Sequence, residues 1–346
     1  MQTKVPCALL INDIHVSKDN IPEFIDNWNE ALDICKQQNI PEIIVGGDLW
    51  QAMASQTLNT LMAARQAIIK ATTAGLSVTI AEGNHDLVDK EALLGYSHLF
   101  SEYPNVYVVD DYTVLEYSGC TLFVMSYFPE DGSFTKRLND MIKTDLRPDD
   151  KNILYIHQGI RGGLATPSDH ELPASIFKDF DKVLVGHYHN RCQIKGTNIE
   201  YIGSSRQHNF GEDEEKGYTI LFEDGSYEFV KNEANTRYRV MDLGVGDINA
   251  DLYEKLNEIK AAGKYKTKIR VNCKSVEADN IDKSKLLAAG ASKVEIETEQ
   301  TIVSPIAKQS LEVKYDKAGL KEEYINFCAD KSLNAQMGLS YLEKIS

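Results

Sequence analysis

The chain has 346 residues, about twice the length of an average domain, so two domains are the first expectation and one large domain the alternative. Apolar residues make up 42% and charged residues 26%, ordinary globular values that exclude a disordered, coiled-coil or collagen-like chain. The formal net charge of -15 disfavours a protein that coats nucleic acid non-specifically, although a local basic patch or bound cations can still attract phosphate. No apolar run reaches the roughly 18 residues needed to span a bilayer, and Met1–Pro6 lacks the apolar stretch of a secretory signal, so a cytoplasmic protein without membrane association is expected. Six cysteines (Cys7, Cys35, Cys120, Cys192, Cys273, Cys328) lie scattered with no CxxC pair, which predicts reduced thiols and neither a disulfide framework nor a structural zinc knuckle.

The first two-thirds of the chain alternates short β-branched runs with helical patterns. Residues 5–11 predict a buried strand, and from Pro22 to Gln38 the spacing of Ile21, Phe24, Trp28, Leu32 and Cys35 predicts one apolar helical face. Glu42–Val45 repeats the strand signal, a helix follows from an N-cap at Ser55 to about Gly75, and Ser77–Ile80 is the third strand. After Pro104 the pattern shifts to closely spaced strands at 106–109, 114–117, 121–125, 153–156, 182–185, 200–202, 218–222 and 227–230. The links Tyr117-Ser118-Gly119 and Glu223-Asp224-Gly225 are too short for a helical crossover and predict antiparallel hairpins. A second unit is expected from near Asn232, with strands at 238–243, 266–271 and 293–297 and helices at 251–262 and 283–289. From Pro305 onward a polar helical segment carries apolar anchors at Tyr324, Phe327, Met337, Leu339, Tyr341 and Leu342. The predicted class is α/β, with a two-sheet core flanked by helices.

Five motifs occur in order, each directly after a predicted strand: Asp13-Ile14-His15, Gly46-Gly47-Asp48, Gly83-Asn84-His85-Asp86, His157-Gln158-Gly159 and Gly186-His187-Tyr188-His189. The carboxyl ends of strands in an open α/β sheet gather at one edge, so these motifs are predicted to share a pocket. Singly, each reads as a turn, a cap or a strand-end histidine. Together they absorb five of the eight histidines, leaving His98, His170 and His208 as surface or core residues. Asp13, His15, Asp48, Asn84, His157, His187 and His189 offer oxygen or imidazole nitrogen, too many donors for one ion of four to six ligands, which predicts two metals with Asp48 as the shared carboxylate. A donor set without thiolate suits Mn²⁺.

This motif order resembles the calcineurin-like metallophosphoesterase superfamily over residues 7 to about 230. Tyr201-Ile202-Gly203-Ser204-Ser205, Phe210-Gly211-Glu212 and Lys216-Gly217-Tyr218 add a narrower resemblance to the SbcD family of DNA repair nuclease subunits, the meiotic-recombination-eleven type. The resemblance implies a metallophosphoesterase domain over 1–232, a small α/β capping domain over 238–304 that contacts DNA, and a helical segment over 305–346 that binds an SbcC-like coiled-coil ABC-type ATPase. It places one metal on Asp13, His15, Asp48 and His189 and the other on Asp48, Asn84, His157 and His187. It makes His85 the catalytic histidine near the scissile phosphate, with Asp86 to orient it. After Gly-Asp the family commonly carries Leu-Phe and then Asp or His, whereas Leu49-Trp50-Gln51 stands here, so a second catalytic histidine is missing.

For nucleic acid the informative stretch is Lys260–Lys274, with Lys264, Lys266, Lys268 and Arg270 and no acidic residue between its ends. It would bind phosphates without reading bases, or else form the wet face of a strand. The expected function is a DNA exonuclease and endonuclease subunit, homodimeric, acting with its ATPase in repair or recombination. The alternatives are a stand-alone phosphodiesterase for small nucleotides and a non-catalytic scaffold.

Overall fold

The computed structural model describes residues 4–87, 94–164 and 171–298, together with residues 324, 325, 328, 336 and 339. In chain order the elements are β1 (Pro6–Ile11), α1 (Ile21–Gln38), β2 (Glu42–Gly46), α2 (Leu58–Thr73), β3 (Ser77–Ala81), β4 (Val106–Val109), β5 (Tyr112–Glu116), β6 (Cys120–Met125), α3 (Ser133–Thr144) and β7 (Lys151–His157). They continue with β8 (Lys182–Gly186), β9 (Cys192–Gln193), β10 (Ile199–Tyr201), β11 (Gly217–Phe222), β12 (Tyr227–Lys231), β13 (Arg237–Gly244), α4 (Ala250–Ala262), β14 (Tyr265–Cys273), α5 (Ser275–Ala278), α6 (Lys283–Ala289) and β15 (Ala291–Thr298).

Two six-stranded sheets form, in the orders β12-β11-β1-β2-β3-β4 and β5-β6-β7-β8-β10-β9. Their centres are parallel, β1 to β4 in the first and β6 to β8 in the second. The two short links close antiparallel hairpins, β5 with β6 and β11 with β12, because neither leaves room for a crossover. Strand alternation then divides the core into layers. Ala8 and Leu10 of β1 point to a cluster with Ile44, Leu122, Val124, Tyr155 and Leu184, which joins the sheets face to face. Leu9 and Ile11 point the other way, to Phe24, Trp28, Ala64 and Ile68 of α1 and α2. The outer face of the second sheet packs Phe123, Leu154 and Val183 against Phe134, Leu138 and Met141 of α3. That helix has no counterpart in the sequence-based expectation, although its three buried residues are spaced four and three apart, as a one-sided helix requires. The cap of α2 also differs: Thr57, not Ser55, accepts the N–H of Thr60 at 3.2 Å.

Residues 237–298 form a third sheet, β13-β14-β15, with β13 and β14 parallel from Arg237↔Tyr265 to Gly244↔Asn272. The α4 crossover between them is capped by Asn249 and ends at Gly263, whose φ of 68° is the left-handed value that favours glycine. A separate cluster of Leu252, Leu256, Ile269, Val271, Leu286 and Ala291 forms its core. The chain divides into two compact units, Met1–Asn272 with Asn280–Ile296, and Cys273–Asp279 with Glu297–Ser346. The segment 305–346 expected to bind an ATPase lies outside the described residues except at the five C-terminal positions above, and His170 lies outside them as well. All six cysteines are free, and among the described residues no helix is long and apolar enough to cross a membrane.

Leu10 is 1% exposed between the two sheets, so Leu10→Ala leaves a cavity that the facing sheet cannot collapse into. We expect a loss of about 2–5 kcal/mol in urea unfolding; a loss below about 1 kcal/mol would mean that the sheets are not sealed at this layer.

Candidate metal centre

The site forms where β1, β2 and β3 of one sheet and β7 and β8 of the other release their chains at the same edge. A strand that delivers a side chain into this seam has to turn at once. Asp13, His15, Asp48 and His187 accordingly adopt positive φ values of 51°, 50°, 53° and 92°, four of the six non-glycine residues that do so among those described. Such backbones cost of order 1–3 kcal/mol each and persist where the surroundings over-determine them. Here the loops after β1 and β2 are laced together: Asp13 N–H donates to Gly47 O at 3.1 Å, His15 N–H to Asp48 O at 3.0 Å and Val16 N–H to Leu49 O at 2.8 Å. Glycine makes the close approach possible. A Cβ on Gly47, whose φ is 103°, would lie 2.5 Å from His157 Nδ1, and one on Gly83 would lie 2.2 Å from Asp48 Oδ1.

All seven predicted ligands converge. Asp13 and Asp48 are 0% and 2% exposed at the base. Asp48 Oδ2 sits 3.5 Å from His15 Nε2 and 3.2 Å from His157 Nε2. His189 Nε2 stands 3.8 Å from Asp13 Oδ1 and 3.1 Å from His15 Nε2, and His187 Nδ1 stands 3.0 Å from Asn84 Oδ1. Two overlapping groups have metal-ligand spacing, Asp13 with His15 and His189, and Asp13 with Asp48 and His157.

The donor chemistry fits divalent cations. His157 Nδ1 donates to Gly46 O at 3.2 Å, which leaves Nε2 aimed at the carboxylates in a buried position without an aligned hydrogen bond; His15 Nδ1 is likewise buried without a partner. Burial works against a charge on His157, but Asp48 and then Asp13 outweigh it and hold the ring up at about 9. Burial lowers His15 and His187 to about 4, so those rings are neutral at neutral pH, the form in which imidazole can accept a cation. Burial would raise Asp48, yet His157, His15 and His85 around it pull it well below the usual carboxylate range. A centre that draws a proton onto His157 to offset its carboxylates is better balanced by a cation.

His85 stands at the rim, its ring centroid 4.9 Å from that of His15, its N–H donating to Asp48 Oδ1 at 2.9 Å and its Nδ1 facing Gln51 O at 2.9 Å. The partner of the His85 ring is thus the backbone of Gln51, whereas the Asp86 carboxylate takes the N–H groups of Trp50 at 2.9 Å and Gly83 at 2.6 Å. Burial, then Asp48 and Glu82, raise Asp86 well above the usual range. Asp86 pins the two loops together and so differs from the expected orienting role on His85.

Three neighbours escaped the motif pattern. Asn12 spans the seam, accepting from Tyr155 Oη at 2.9 Å and bonding the Asp13 carboxylate. Glu212 accepts from His189 Nδ1 at 2.8 Å. His208, expected to be incidental, lies against the rings of both His15 and His189. Its signal was its place in the segment running to Phe210-Gly211-Glu212, which follows the last strand-end motif. The expected basic stretch is offset by acids: Lys264 pairs with Glu233 at 3.2 Å, Lys266 with Glu23 at 3.5 Å, Lys268 with Glu295, and Arg270 with Asp242 at 3.0 Å.

Two face-to-face sheets with this strand-end constellation are the arrangement that the resemblance to calcineurin-like metallophosphoesterases implies. The chain is similar to Exonuclease subunit 1 of Enterobacteria phage T4, 24% identical over 315 residues that cover 88% of this chain and 86% of the relative. It is also similar to a protein described as phosphoesterase 244L of Invertebrate iridescent virus 6, 25% identical over 217 residues, 61% of this chain and 71% of that one. Among solved structures, a dimetal phosphatase from Danio rerio aligns with a TM-score of 0.47 and 9% identity, over 64% of this chain and 93% of that one. No family model matches the chain.

Gly83→Ala should displace Asp48, because the added methyl would also lie 2.4 Å from the Asp48 backbone nitrogen. Metal analysis of the purified variant should show loss of bound ion with a folded far-UV spectrum; full metal content would mean that the Gly83 loop yields freely.

Proposed function

We propose that the chain is a two-metal DNA nuclease subunit. The observation that carries the reading is the convergence of all seven ligands and His85 on one edge of the two-sheet core, supported by the similarity to an exonuclease subunit along most of both chains. Asp13, His15, Asp48 and His189 would hold one ion, and Asp48, Asn84, His157 and His187 the other, with Mn²⁺ favoured by the oxygen and imidazole donors. When bound, the ions supply Lewis-acid neutralisation of the phosphate and a template for in-line attack.

The remaining work falls to side chains. The Nδ1 bond of His157 to Gly46 O fixes its ring so that Nε2 faces the ligand cluster. Asp48 organises both positions and also holds the His85 backbone through its N–H, so metal ligation and catalysis share one anchor. With Nδ1 facing Gln51 O, the His85 ring leaves Nε2 available to the scissile phosphate, where it would stabilise charge or protonate the leaving oxygen. The same resemblance supports residues 238–304 as a cap over DNA, 305–346 as the docking segment for a coiled-coil ABC-type ATPase, a homodimer, and a cytoplasmic role in repair or recombination.

A second reading, a phosphodiesterase for small nucleotides, is favoured by one observation: Lys264, Lys266, Lys268 and Arg270 each have an acidic partner, so the stretch offers phosphate less positive charge than the sequence suggests. Incubation with Mn²⁺ and, in parallel, end-labelled duplex, single-stranded DNA and cyclic nucleotides separates the readings. The nuclease degrades DNA; hydrolysis of the cyclic nucleotides alone would give the second reading its place.

Asp48→Ala should abolish hydrolysis and remove more than one ion per chain, since both positions depend on it. Retention of two ions with near-normal turnover would remove Asp48 from the shared role. His85→Gln should keep both ions and lower turnover by roughly two to four orders of magnitude. Metal loss in that variant would instead mark His85 as a ligand.

A further inference from the structure

The segment 207–212 touches both the metal centre and the third sheet. The Gln207 amide, 3% exposed, pairs with the β13 backbone as a neighbouring strand would: Oε1 accepts from Tyr238 N–H at 2.8 Å and Nε2 donates to Tyr238 O at 3.0 Å. The same Nε2 donates to Glu212 O at 2.8 Å, tying the far end of the segment to this junction. His208 packs its ring 5.1 Å from His15 and 4.8 Å from His189, and its Nε2 meets Asp13 O at 2.8 Å. Facing a carbonyl, that nitrogen carries the proton and holds Asp13 in its left-handed turn. Glu212 Oε2 accepts from His208 N–H at 2.9 Å, and Oε1 accepts from His189 Nδ1 at 2.8 Å and from Asn209 Nδ2 at 2.7 Å. A ring nitrogen facing a carboxylate carries its proton, so Nε2 of His189 is left as the lone-pair donor toward His15 and Asp13.

We propose that residues 207–212 form a brace that sets the cation position of Asp13, His15 and His189 and keys it to the third sheet, with Glu212 as the positioning residue for His189. The proposal rests on the two-metal reading above. Its physical content is an asymmetry between the two positions. The ring of His157 is oriented by Gly46 O, a group at a strand end of the sandwich itself. His189 is oriented from outside it, through Glu212, His208 adds an outside hold on Asp13 beside those of Gly47 and Asn12, and the brace is latched by Gln207 to β13. A carboxylate behind a ligating imidazole fixes its tautomer and raises its basicity, and losing one lowers metal affinity about 10–100-fold. Disturbing the brace therefore weakens one ion and spares the other.

Calorimetric titration of the full chain with Mn²⁺ tests this, with thermal melting to confirm the fold. The wild type should bind two ions. Glu212→Ala should weaken one by about 10–100-fold and leave the other unchanged. Glu212→Gln, whose amide oxygen can still accept the Nδ1 proton, should restore most of that loss. Gln207→Ala should weaken the same ion in the same direction by less. Equal weakening of both ions, or unchanged affinities in Glu212→Ala, overturns the brace while leaving two metals standing. Fewer than two ions on the wild type overturns the two-metal reading and the brace with it. Should Glu212→Ala melt without a cooperative transition, Gln207→Ala decides: selective weakening supports the brace and unchanged affinities overturn it.

Discussion

Two carboxylates buried side by side govern this structure. Asp13 and Asp48 are almost completely withdrawn from solvent, and a buried charge is tolerated only when it is matched. The surrounding features answer that demand. Four left-handed turns aim carboxylates and imidazoles into one seam, and glycines at 47 and 83 leave the volume in which they meet. The backbone N–H of His85 points at the Asp48 carboxylate and that of His187 at the Asp13 carboxylate. The parallel centres of both sheets deliver all these groups to a single edge, so the sandwich acts as the rigid frame that the strained turns require.

That frame supports its ligands unevenly. One set of imidazoles takes its orientation from the ends of the strands, a part of the molecule sealed by the inter-sheet core. The other depends on a surface segment that also grips the third sheet. The third sheet has its own core, with α4 and α6 packed beside it, and its backbone enters the brace directly at Tyr238.

The gathering of the strand-end motifs was legible in the sequence because each motif is local. Each motif sits within a few residues of a strand end, and the short apolar β-branched run of each strand announces where that end falls. The hairpins were legible for the same reason, since links of three and four residues admit few geometries. Helix α3 was missed because its apolar stripe is short and its flanks are polar, so the strands on either side dominate the pattern.

Long-range pairing was not legible. The sequence by itself determined which residue types stand at the strand ends and how many oxygen and imidazole donors they offer. Only the tertiary structure decided that Asp86 holds backbone while Gln51 holds His85, that Glu212 and His208 belong to the site, and that the lysines of β14 meet acids from other elements. Those outcomes depend on which side chains approach from elements far along the chain. Hydrogen bonds and ion pairs form between neighbours in space, and a spacing pattern records neighbours only along one strand or helix.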